Sequence, residues 1–194
     1  MRSFRKFLPA AIAILFIGAV TPANTYTLSK GYTVSIHGTS NLHDWDENVV
    51  TVTGDGSVDW NSDANFDLNA MNIKMVVNSI KSTEGSIMDK NTYKALKADD
   101  HPDITFVLAA PVKSIQAGTH VIAARINLTI AGVTKAIDMP VTTTALAHGN
   151  ISFEGSKTIK MTDYGIKPPV ALFGTMKTGD EITIKFKTVF AISK

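Results

Sequence analysis

His43 stands beside two carboxylates in Ser40-Asn41-Leu42-His43-Asp44-Trp45-Asp46, with His37 a short way upstream. A histidine beside acids is the residue set of a metal site or an acid–base pair. The spacing works against both. His37 and His43 are not four apart on a helix, and they fall on a strand and the loop after it. Neighbours in extended chain point opposite ways, so His43 and Asp44 do not converge. The segment reads as a loop whose Asn and Asp side chains bond their own backbone and whose Trp45 caps the core. Contact with a ligand's polar head is the sharper alternative. His101 precedes Pro102 at a helix-to-strand junction, a structural position, and His120 and His148 fall in turns. No serine sits in a Gly-x-Ser-x-Gly context, and no phosphate loop, dinucleotide fingerprint or His-Glu-x-x-His is present. No catalytic residue and no metal ligand is expected.

The elements around these residues are strands with one apolar face each. Ile182, Ile184, Phe186, Phe190 and Ile192 share one parity, and Thr183, Lys185 and Lys187 take the other. A period of two means a half-buried strand. Val34 and Ile36, Met71 through Val77, Ile104 through Leu108, Ile122 through Ile130, Ile137 through Val141, and Ile151 with Phe153 repeat the pattern, with turn signals between them. Gly54 and Gly56 within one run suggest a bend or bulge. About eight strands result. Only residues 86–100 depart from alternation: Met88, Tyr93, Ala95, Leu96 and Ala98 fit a helical stripe, with Asp89 as the expected N-cap and a stop before His101-Pro102. So many one-faced strands must curl into a barrel or stack as a sandwich, and the helix crosses as a lid or plug at one end. The shape is that of a container.

Composition narrows the class further. The chain has 194 residues, 44% hydrophobic and 19% charged, with no cysteine, which excludes disulfides and thiolate metal sites. Residues 1–23 read as a signal peptide: Arg2, Arg5 and Lys6 precede an apolar stretch over residues 8–20, and Thr21-Pro22-Ala23 offers a cleavage site. That stretch is shorter than the roughly 20 residues a spanning helix needs. Three of the 19 basic residues and none of the 17 acidic ones lie in residues 1–23, so the remainder carries 16 against 17, a net charge of −1. Nothing in that balance calls for a nucleic-acid or anionic-membrane partner. Residues 24–194 form one domain, with no later segment able to cross a membrane as a helix.

Several segments occur together in order: Gly38-Thr39-Ser40-Asn41-Leu42-His43-Asp44-Trp45, Met88-Asp89, Ala95-Leu96-Lys97-Ala98, and His101-Pro102-Asp103-Ile104-Thr105-Phe106. Leu128-Thr129-Ile130-Ala131-Gly132-Val133-Thr134-Lys135, Lys160-Met161-Thr162-Asp163-Tyr164-Gly165 and Gly179-Asp180-Glu181-Ile182 follow. The ordered set resembles the YceI-like family of exported bacterial proteins. That resemblance implies an all-β fold, an eight-stranded antiparallel lipocalin-like barrel with one short helix between strands 3 and 4. It also implies a periplasmic or secreted protein holding a long isoprenoid or fatty-acyl-type lipid, with no other cofactor and no catalysis. Strand parity nominates Ile36, Met71, Ile73, Met75, Val77, Phe106, Leu108, Ile126, Leu128, Met139, Phe153 and Phe186 as cavity wall. His43, Trp45, Tyr93, Tyr164 and Lys167 are the candidate mouth or headgroup contacts. A hydrophobic lipid is the expected partner, and the oligomeric state is left open, a dimer among the options. Two rivals stand beside the carrier: a packed barrel acting as an interaction or stress-related module, and an eight-stranded outer-membrane barrel with its apolar faces turned outward.

Overall fold

The computed structural model describes residues 24–171 and 174–193. The expected signal peptide, residues 1–23, lies outside them. The alternating segments become β1 (Asn24–Leu28), β2 (Thr33–Ser40), β3 (Trp45–Val49), β4 (Val52–Ser62), β5 (Asn65–Val76) and β6 (Ile80–Ser82). After α1 (Ser86–Ala95) come β7 (Asp103–Leu108), β8 (Val112–Gln116), β9 (Thr119–Ile130), β10 (Val133–Ala145), β11 (Ile151–Lys160), β12 (Val170–Ala171) and β13 (Met176–Ile192). Eight of them close a ring of antiparallel pairs, β1-β4-β5-β7-β9-β10-β11-β13 and back to β1. Each strand of the ring is paired on both sides along at least part of its length.

The short strands build a second storey on the same plan. β13 pairs with β1 through residues 190–192 and with β2 through residues 178–187, so one long strand serves both levels. β2 carries on from β1 after a break at residues 29–32, β3 precedes β4, and β6 follows β5, with β2–β3 and β3–β6 paired. The helix lies between the third and fourth strands of the ring, as the sequence predicts. The glycine-containing strand β4 has register shifts against β5 at Ser57/Val58 and Trp60/Ser62.

One wall is incomplete. The β10–β11 ladder joins Val141–Ala145 to residues 155–151 and stops there, next to Pro140. Proline has no N–H to donate, so it ends a ladder or sits at an irregularity. Beyond it the Lys157 ammonium donates to the Asp138 carbonyl at 2.8 Å and bridges the two strands by a side chain.

The two storeys differ in filling. In the lower one the inward side chains interlock: Tyr26, Phe66, Ile151 and Phe190 are at most 1% exposed. Phe153 and Phe190 meet edge to face at 5.8 Å, and Trp60 and Phe66 lie 4.9 Å apart. Even the polar tip of Tyr26 is used. It accepts from Trp60 Nε1 and donates to the Gly149 carbonyl, both at 2.9 Å.

The helix corrects one sequence expectation. It is shorter than residues 86–100, ending at Ala95, and its N-cap is Gly85 at φ 92 rather than Asp89. Asp89 lies one turn inside, where its carboxylate accepts from the Ser82 N–H at 2.8 Å and from Lys81 Nζ at 3.0 Å. The Ser82 N–H, then Lys81, hold its carboxyl below the usual range. Asp89 is a rivet between α1 and β6, not a cap. On the neighbouring hairpin, Ala131 and Gly132 at φ 49 and 81 form the tight β9–β10 turn, and the His101 ring lies against Gly132. His101 is structural.

Candidate functional site

The upper storey is hollow. It encloses a cavity of about 120 Å³. The inside of an eight-stranded barrel is only just wide enough for one small ligand, so the cavity is narrow and suits a slender chain. Its wall comes from β2, β3, β5, β7, β9, β10, β11 and β13, and α1 closes over it with Met88, Thr92, Ala95 and Leu96. The wall is largely hydrophobic because the inward positions of these strands are largely apolar.

Of the twelve wall candidates, Ile36, Ile73, Met75, Phe106, Ile126, Leu128, Met139 and Phe186 line the cavity. Met71, Leu108 and Phe153 point inward too, but at the height of the filled storey, where they belong to or pack against the lower cluster. Val77 leaves β5 for a 3-10 turn and is buried in the upper cluster. Sequence parity also reached Ile182 and Ile184 without nominating them, and both line the cavity.

The mouth candidates divide as well. Trp45 and Tyr164 line the cavity. Trp45 pairs with Gly38 across β2–β3, and its ring lies flat over that glycine: a Cβ there would stand 2.1 Å from Trp45 Cζ2. Its indole N–H donates to the Thr39 carbonyl at 3.2 Å. Tyr93 instead fastens the helix, donating to the Ile80 carbonyl at 2.8 Å and accepting from Lys81 at 2.7 Å. His43 is exposed in a turn tied by Ser40, its Nδ1 2.8 Å from the Asp44 carbonyl, and Lys167 is exposed. His37 meets Asp46 at 3.0 Å on the outer surface. Among the described residues no three His, Cys, Asp or Glu gather as a metal site.

Two polar side chains stand out on the wall. Glu47 is 2% exposed, and its Oε1 accepts from the Thr92 hydroxyl of α1. Sequence reasoning passed over it, although Trp45, Glu47 and Val49 share one parity, the signal that places it inside. Burial pushes its carboxyl above the ordinary value; the Thr92 bond pulls the other way, and the nearby Asp89 adds to the rise. Tyr164 is also 2% exposed, and its hydroxyl has no partner among the described residues. Burial, then Asp163, raises it.

The sign of the Glu47 effect is testable. A carboxyl whose folded pKa is raised favours folding only while protonated, so that stability drains away as pH climbs from the ordinary glutamate value through the folded one. Glu47→Gln keeps an acceptor for Thr92 without the charge. It should raise Tm at pH 8 by about 2–4 °C, and the gain should vanish near pH 4 in thermal melts.

A family model described as the YceI-like domain matches residues 26–190, nearly the whole barrel. The chain belongs to the YceI-like family. No curated protein matches it. The YceI-like barrel is similar to a solved polyisoprenoid binding domain from Saccharophagus degradans at TM-score 0.70 and 14% identity, covering 87% of this chain and 98% of that one. It is also similar to Burkholderia cenocepacia BcnA at TM-score 0.60 and 21% identity, covering 81% and 95%. The Campylobacter jejuni YCEI protein follows at TM-score 0.56 and 21% identity, covering 76% and 84%. At these identities the likeness to the YceI-like chain is one of fold: a mostly β, closed eight-stranded antiparallel barrel with one α-helix among the described residues.

Proposed function

We propose that this protein is an exported, non-catalytic lipid carrier that holds one long isoprenoid or fatty-acyl-type chain in its upper storey. The observation that carries the reading is the narrow apolar hollow under α1, set on a solid base. An apolar tail contributes about 0.8 kcal/mol per CH₂ buried, so an apolar cavity binds such a tail without any bond being made or broken. The polyisoprenoid named for the Saccharophagus domain is a ligand of this shape and polarity. Export rests on the basic and apolar residues of positions 1–23.

The outer face argues for a barrel in water. Arg125 and Asp138 pair at 3.7 Å and Lys187 and Glu154 at 3.5 Å on the outside of neighbouring strands, where a membrane barrel would present its apolar band. No helix among the described residues is long and apolar enough to cross a membrane.

The full chain, expressed with its own leader and recovered from the periplasm, should release one long-chain lipid per protein on organic extraction, identified by mass spectrometry. Protein stripped of lipid should then bind an apolar fluorescent rod such as diphenylhexatriene saturably. An extract free of lipid together with no saturable binding sinks the proposal.

A further inference from the structure

We propose that the cavity selects long-chain molecules with a small uncharged head, a primary alcohol or a carbonyl oxygen, which accepts a hydrogen bond from Tyr164. This deepens, and rests on, the carrier reading above. Two observations carry it. Tyr164 lines the cavity, and its buried hydroxyl bonds to nothing in the described chain. A buried donor left unmade is expensive, so such a group is explained by what it is kept for. Tyr26 shows the contrast: on the filled storey its hydroxyl has a donor and an acceptor at 2.9 Å.

Glu47 also lines the cavity, its Oε1 accepting from the Thr92 hydroxyl of α1. The Tyr164 hydroxyl is a donor without an acceptor in the described chain, so it asks for an acceptor oxygen. An anionic phosphate head fits poorly. The cavity wall includes one basic residue, Lys157, and its ammonium is already held at the Asp138 carbonyl. A buried anion without a cation is far more costly than a neutral oxygen with a donor. It would also share the cavity with the Glu47 carboxyl.

The test uses the lipid-stripped full chain loaded with diphenylhexatriene and displaced by three probes of equal length: hexadecane, hexadecanol and hexadecyl phosphate, each delivered from cyclodextrin. Hexadecanol should displace the rod at about a tenfold lower concentration than either of the others, the effect of one good hydrogen bond. Tyr164→Phe should erase most of that preference, leave hexadecane unchanged, and not lower the Tm of the empty protein. Glu47→Gln should narrow the gap between alcohol and phosphate. Equal displacement by all three overturns the head assignment while the carrier reading survives. The strongest displacement by the phosphate overturns it too, as does a Tyr164→Phe protein that melts several degrees early, because the hydroxyl would then be structural. No displacement by any probe overturns the carrier reading itself, and this one with it.

Discussion

Phe190→Ala is expected to destabilise the barrel by about 3–5 kcal/mol, whereas Ile184→Ala, six residues earlier on the same face of β13, should cost about 1 kcal/mol or less. Phe190 is fully buried and packed edge to face with Phe153 at 5.8 Å, so truncation opens a void that a closed ring of strands cannot collapse around. Ile184 has the cavity on its inner side and lies in the half-buried set, so it has fewer contacts to lose. Urea unfolding of both variants at one pH measures the difference. Similar losses at the two positions would mean the upper storey is as solid as the lower one.

Ile184→Trp tests the same contrast from the other side. An indole placed on the wall of a narrow hollow fills it, and the hollow takes the ring without the strain of an overpacked core. Diphenylhexatriene binding should weaken by at least about 100-fold, or roughly 2.7 kcal/mol, with the unfolding midpoint little changed. Lys185→Trp is the control. Its side chain is exposed on the opposite face of the strand, so the same indole added there should leave binding intact. If both variants bind alike, the tail lies somewhere other than this cavity.

Which side chains point inward was legible in the sequence, because a period of two survives any change of tertiary setting. The strand count and the place of the helix followed from it. How high along the barrel each inward residue sits was not legible. Met71 and Met75 share a strand and a parity, yet one is packed in the filled storey and the other faces the hollow. That division is set by side chains brought together from strands far apart in the sequence, such as Phe190 with Phe153 and Tyr26 with Trp60. Phe153 and Leu108 were drawn onto the cavity wall for the same reason. Glu47 shows a different blind spot. A charged residue is read as a surface residue, and only its parity with Trp45 and Val49 says otherwise. Asp89 looked like a cap because of its residue type, but its partners, Ser82 and Lys81, lie on another element.

The short ladder beside Pro140 bears on how such a vessel is loaded. Residues 133–139 of β10 and 156–160 of β11 are joined across their gap by the Lys157 bridge instead of by paired backbone, so this flank can part without unzipping a strand. For the carrier proposed above, parting here would admit a flexible tail sideways along its whole length. Threading it end-on past the helix would order it one carbon at a time.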